Sequence, residues 1–182
     1  DADLNATNVS LSPAAIEGSI EDASLREQKS GFVLNQLTAD VVYDDHQIAV
    51  ENLYLLTDKT SLKRRVVLTY ESLTAMVQRP GDIHLDADIE ESVVAVRDIL
   101  AFAPMLRQVP PFKGNENEVF NIDAIVRGYI KDLRIPTFNV SGFRNTSIAA
   151  SGRITGLPSA YPYYDLVINR FSTTKADLTH LL

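Results

Sequence analysis

The chain has 182 residues, with 17 Lys and Arg against 24 Asp and Glu, and a formal net charge of −7 at pH 7. An acidic balance argues against nucleic acid as a main partner, because phosphate binding needs a basic face. With no cysteine, thiol catalysis, disulfides and Cys-ligated metals are excluded. Hydrophobic residues make up 45% and charged residues 23%, which rules out wholesale disorder.

No membrane span is expected. The longest uncharged stretch, residues 4–16, is full of Asn, Ser and Thr and far short of the ~20 apolar residues that a spanning helix needs. The opening DADLNAT alternates like a strand, and the closing DLTHLL reads as the first turn of a helix. Both ends look cut. The chain therefore reads as a section of a longer protein whose targeting signals lie elsewhere.

Period-2 alternation dominates, as for strands with one buried face. Val33, Leu37, Ala39, Val41 and Tyr43 share one parity, and the turn-like DDH at 44–46 follows. Ile48, Val50, Tyr54 and Leu56 continue the pattern, then Leu62, Val66, Leu68 and Tyr70. A two-turn helix is predicted over 71–78, stopped by Pro80 and Gly81. In IHLDADIE, Ile83, Leu85, Ala87 and Ile89 face one way, and His84, Asp86, Asp88 and Glu90 the other. Val96, Ile99, Leu100 and Ala103 fall at helical spacing over 96–106, where Phe102 and Leu106 add apolar surface. A Pro-, Gly- and Asn-rich loop over 108–118 comes next.

The second half repeats the style. Phe120, Ile122, Ala124 and Val126 alternate, and Leu133 and Ile135 run up to Pro136, which is expected to end or edge its strand. Ile148, Ala150 and Ile154 alternate, as do Leu166 and Ile168, and a third short helix opens at ADLTHLL. The reading gives roughly nine to eleven strands at hairpin spacing.

Two local patterns recur. Thr60-Ser61-Leu62 returns as Thr146-Ser147-Ile148, 86 residues later, and the Asp98-Ile99 step into a helix returns as Asp177-Leu178, 79 residues later. They predict an incomplete leading repeat at 1–30, a β repeat unit with a short helix at 31–110, and a second unit at 118–182 truncated at its helix. The Pro-rich segment is expected to account for the difference in spacing. Such units bury their apolar surface by stacking on neighbours.

No residue set carries chemistry. His84, Asp86 and Asp88 project from one side of a strand, a geometry open to a divalent metal, yet beside Glu90 and Glu91 they read as a solvated face. His46 sits in a turn that Asp44 and Asp45 favour, and His180 lies at the chain's end. Gly152 and Gly156 fit neither a P-loop nor a dinucleotide fingerprint and suit a bulged strand. The acceptor-like Asn5, Asn8, Asn139 and Asn145 are expected from composition alone. Lys63, Arg64 and Arg65 form the one basic cluster, a solvated strand face or the rim of a lipid groove. Neither a catalytic residue, a metal nor a cofactor is assigned.

Three stretches carry a resemblance. The run from Gly31, GF-x-L-x-x-L…I-x-V-x-NL-x-L-x-T-x-x-T-x-L, the segment DADIEESVVAVRDILAFAPML at 86–106, and SIAASGRITGLP at 147–158 resemble the TamB branch of the AsmA-like proteins. The similarity is to the long versions found in Bacteroidota and covers roughly residues 20–182. The resemblance implies a long curved antiparallel sheet, shaped as a taco or open half-barrel groove, with two or three short helices. It implies a non-enzymatic periplasmic section of a protein anchored in the inner membrane, which conducts phospholipid towards the outer membrane. Its partners would be phospholipid acyl chains and, at the distal end of the full protein, an outer-membrane barrel of the BamA/TamA type, with a possible share in outer-membrane protein assembly.

Alternation assigns the groove lining: Ile83, Leu85, Ala87 and Ile89, then Ile122, Ala124 and Val126, then Ile148 and Ile154, then Leu166 and Ile168. The opposite parity would bury four ionisable groups of IHLDADIE at several kcal/mol each. A closed β-sandwich that binds glycan or protein partners produces the same alternation. The cluster Tyr161, Tyr163 and Tyr164 is the feature that would suit it.

Overall fold

A computed structural model describes residues 2–11, 15–26, 32–102, 104–108, 112–159 and 161–181. Of residues 2–11 and of 102, 105, 180 and 181 it describes the backbone alone. The apolar surface expected of Phe102 therefore lies outside the described side chains, as does the side chain of His180.

Ten strands follow one another in chain order: β1 (Ala2–Leu11), β2 (Ala15–Arg26), β3 (Val33–Asp44), β4 (Gln47–Thr57), β5 (Ser61–Thr69), β6 (His84–Ala95), β7 (Val119–Tyr129), β8 (Asp132–Gly142), β9 (Thr146–Thr155) and β10 (Tyr163–Ser172). Three short helices interrupt them: α1 (Leu73–Gln78), α2 (Val96–Phe102) and α3 (Lys175–Leu181). Each strand pairs antiparallel with the next in a single sheet, and β1 and β10 stay at opposite edges. The fold is mainly β and the sheet is open. No second sheet lies over it among the described residues, so the closed sandwich is not formed.

The exposed area shows the same openness. The chain presents 11470 Å² to solvent, whereas a compact monomer of 20.1 kDa presents about 8,700 Å².

Register fixes the faces, since residues opposite each other in an antiparallel pair point the same way. One row crosses nine strands as Ile16, Tyr43, Ile48, Leu68, Leu85, Gly128, Leu133, Ile154 and Tyr164. The adjacent row, on the other face, reads Glu17, Val42, Ala49, Val67, Asp86, Arg127, Arg134, Arg153 and Asp165. The first row is apolar, and the second turns charged from β6 onward.

Bulges correct the simple parity count. An extra residue in β4 between Val50 and Leu53, where Asn52 takes φ 49°, reverses the facing of the rest of that strand. Leu55 therefore joins the apolar face opposite Leu37 and Leu62, while Tyr54 lies opposite Thr38 and Lys63. Tyr54 and Leu56 do not share the side of Ile48 and Val50. A shift at Asn35 likewise puts Leu34, and not Val33, on the side of Leu37. Side chains bind the groups around the Asn52 bulge: Asn52 Nδ2 and Ser19 Oγ both donate to Asp40, at 2.7 Å each. Pro136 does not end its strand, because β8 runs through it at a bulge where the register shifts against both β7 and β9.

Two stretches have the same element order, four strands and then a helix: β3 to β6 with α2, and β7 to β10 with α3. Their irregularities coincide. The shift between Val50 and Leu53 returns between Ile135 and Phe138, and the one after Ile89 returns after Ile168. The change in spacing from 86 to 79 arises between β5 and β6, where residues 70–83 hold α1. The matching connection spans only 156–162. The expected Pro-rich segment is not its source.

A buried carboxylate holds each of the last two helices. Asp98, in the first turn of α2, accepts from Thr57 Oγ1 and Thr60 Oγ1, both at 2.6 Å, and Thr60 Oγ1 also takes the Ala95 N–H at 2.9 Å. Asp177, in the first turn of α3, accepts from Thr146 Oγ1 and the Asn145 N–H, both at 3.0 Å. Both carboxylates are buried. Helix α2 is shorter than the sequence suggests and passes into a 3-10 turn, Pro104–Gln108. Helix α1 starts at a Ser72 cap that accepts from the Ala75 N–H.

Asp98→Ala leaves two buried hydroxyls without their acceptor, at ~1–3 kcal/mol each. Urea unfolding should show a loss of about 2–5 kcal/mol. Val77→Ala, on exposed surface, should change stability by less than ~0.5 kcal/mol.

Candidate functional site: an uncovered apolar face

Each groove residue assigned from the sequence has a definite place. Leu85, Ala87 and Ile89 lie on β6 opposite Leu68 and Val66 on one side, and opposite Gly128, Val126 and Ala124 on the other. Ile122, Ala124 and Val126 continue this face on β7, with Ile122 opposite Ser92 and Val140. Ile148 and Ile154 follow on β9 opposite Val140 and Leu133. Leu166 and Ile168 end the face on β10, opposite Gly152 and Ala150, where they are exposed at the sheet's edge. Ile83 sits just outside β6, at the end of the 3-10 turn Pro80–Asp82, and its carbonyl accepts the Ile130 N–H at 2.8 Å.

The parity count omitted Phe138, which the Pro136 bulge brings onto this face between Ala124 and Ala150. It also omitted Phe143, which lies in the turn after β8 and packs edge-on against Phe120 at 5.2 Å between centroids. No alternation reaches a residue in a turn, so no periodic signal could have found it.

Most of the apolar face is half-buried, and α2 covers one end of it. Val96 and Leu100, 0% and 1% exposed, pack with Phe120 and Phe143, and Leu106, Phe112, Ile122 and Val140 surround them. This is the hydrophobic core cluster among the described residues, and α2 lies on the apolar side of the sheet. Between α2 and the strands remains a pocket of about 310 Å³ lined by Ile99, Phe112, Phe138, Ile148 and Phe171 among others. Such a volume is within the range of small-molecule sites. Gly142 lets Phe120 close the floor, because a Cβ there would come within 2.6 Å of its Cδ1.

The opposite face is built differently. Arg65 lies 3.4 Å from both Glu51 and Asp86, and Arg127 reaches the same Asp86 at 3.2 Å. Arg153 grips Asp132 with two bonds, and in the adjoining turns Lys131 reaches Asp82 at 2.6 Å. Hydrogen bonds from Arg153 and from Lys131 hold the Asp132 and Asp82 carboxyls below the ordinary carboxylate range. Bonds from Asn52 do so for Asp40, and from Asn35 for Asp58. The basic cluster is absorbed likewise: Lys63 pairs with Glu91 and Arg64 with Glu90.

The metal reading of the His84 strand finds competing partners. Asp86 is held by two guanidiniums, and His84 stacks edge-on against Tyr129 at 5.3 Å. His46 lies exposed in the β3–β4 turn, where its N–H donates to Asp44 Oδ1 at 2.6 Å. Tyr161, Tyr163 and Tyr164 are all exposed, but Tyr163 and Tyr164 point to opposite faces of β10 and make no common platform.

No protein-family model matches the chain, and no similar curated protein or solved structure is found.

The two faces give the next predictions. Ile89→Asp puts a charge on the apolar side and should cost about 2–4 kcal/mol in urea unfolding, against under ~1 kcal/mol for Asp88→Asn. Phe120→Ala should cost ~3–5 kcal/mol. Acid should act through the hydrogen-bonded carboxylates of this face and of the adjoining turns. Asp40, Asp58, Asp82 and Asp132 titrate below 3.8 when folded. Their stabilisation is complete above that value and is lost as the pH falls through the folded-state values. Thermal unfolding should shift downward below about pH 4; an upward shift there would contradict the assignment.

Proposed function

We propose that this chain is a non-enzymatic, lipid-conducting section of a TamB-like protein, whose apolar face carries phospholipid acyl chains across the periplasm. The observation that supports it is the continuous apolar face, which no second sheet covers among the described residues. An exposed apolar patch beyond a few hundred Å² marks a binding surface. Acyl chains suit this one because they need area and no directed hydrogen bonds. The paired charges of the other face suit water. The sequence resemblance supplies the rest of the reading: inner-membrane anchoring of the whole protein, transport towards the outer membrane, and a barrel of the BamA/TamA type at the far end.

The two faces can be compared at neighbouring positions. Ile148 lies on the apolar side and Ala149 on the polar one. A photo-crosslinking amino acid at each should be irradiated with phosphatidylethanolamine–phosphatidylglycerol vesicles and the protein weighed by mass spectrometry. Lipid adducts should favour position 148 by about tenfold or more. Equal labelling at both positions, or none at either, would count against the conduit.

A further inference from the structure

We propose that the polar face of the second unit holds a carbohydrate site, built across β7, β8, β9 and β10 for a neutral, hydroxyl-rich sugar ring. It lies on the side away from the acyl-carrying face and does not depend on that reading. The two units can be compared row by row. In the first, Thr38, Tyr54 and Lys63 stand opposite one another on β3, β4 and β5, and Lys63 Nζ reaches Glu91 on β6 at 3.6 Å. In the second, the same row reads Asp123, Asn139, Ala149 and Arg170. Counted from Thr60 and Thr146, Ala149 takes the place of Lys63; counted from Ile89 and Ile168, Arg170 takes that of Glu91. A methyl group thus stands where a long side chain and its ion pair fill the first unit. The neighbouring row adds Asn121, Ser141 and Ser147. The result is a pocket of about 440 Å³ lined by Asn121, Asp123, Asn139, Ser147, Asn169 and Arg170 among others. That volume is in the range of small-molecule sites.

The lining sets the ligand class. Elsewhere on this face charge meets charge, as Arg65 does Glu51 and Asp86, and Arg153 does Asp132. Here amides and hydroxyls predominate, around one carboxylate and one guanidinium of opposite sign. A phosphate would have to approach Asp123 and a metal cation Arg170, so the pocket suits neither ion. Asn amides and Ser hydroxyls both donate and accept, and so do the alcohol groups of a sugar. Asp123 is oriented for this, because the Glu91 N–H donates to its Oδ1 at 2.7 Å, and its second oxygen can accept from a sugar hydroxyl. Asn121 Nδ2 donates only a long bond, 3.4 Å, to Ser141 Oγ, one that a ligand hydroxyl can replace. Asn139 is exposed beside the gap at Ala149, with Arg170 directly across it.

The probes are maltotriose, cellotriose and chitotriose, each titrated into the isotope-labelled whole chain and followed by NMR. At least one of them should shift the side-chain amide signals of Asn121 and Asn139 saturably. Ala149→Gln refills the gap and should weaken that binding about tenfold or more, while Val77→Ala should leave it unchanged. Asn139→Ala removes an amide without adding bulk and should weaken binding as well, so the test stands even where Ala149→Gln disturbs the fold. No saturable shift with any of the three sugars, shifts centred away from this pocket, or binding that either folded variant leaves unchanged would overturn the proposal. So would inorganic phosphate or calcium producing the same shifts, since the ligand would then be an ion.

Discussion

A sheet that never closes has no second sheet to pack against, and the rest of this structure follows from that constraint. Each inner strand is stabilised mainly by its two neighbours, through the hydrogen-bond ladder and cross-strand pairs such as Val50 with Val66 and Ile89 with Ala124. A single layer must also leave its apolar side partly wet. Among the described residues the largest fully buried side chains, Val96, Leu100 and Ser92, lie where α2 leaves or covers the sheet. The uncovered face is thus a consequence of the topology.

What fixes the helices is polar. Asp98 and Asp177 are buried carboxylates whose acceptor capacity is met by threonine hydroxyls and an amide, in the manner that makes a buried charge tolerable. The bulges are treated in the same way. Ser92 Oγ takes the Lys63 N–H at 3.0 Å beside the Glu91 kink, and Asp123 takes the Glu91 N–H at 2.7 Å. Extra residues bend and twist strands. Here they do so without leaving these amides bare.

Alternation made the strands and the apolar side of β6, β7 and β9 legible, because a period of two needs only local sequence. It failed where a bulge intervened without a glycine to announce it. Asn52 and Glu91 adopt positive φ, and Tyr54 and Leu56 were therefore read on the wrong side. The Thr60 and Thr146 motifs were visible as words, but their contacts with Asp98 and Asp177, tens of residues away, belong to the fold. Edge and centre were likewise indistinguishable, since Leu166 and Ile168 have the pattern of covered residues and stand exposed on β10. Alternation states which way a side chain points and carries nothing about what stands next to the strand.

The central claim, that the open face receives acyl chains, is tested most directly by methyl NMR. The chain would carry labelled isoleucine methyls in the presence of a long-chain phospholipid in small bicelles. Intermolecular contacts should join the acyl protons to Ile122 and Ile148, on the apolar face, and should be absent at Ile125, which lies opposite Asp88 and Thr137 on the other face. Contacts of equal strength at Ile125, or none at Ile122 and Ile148, would contradict the account.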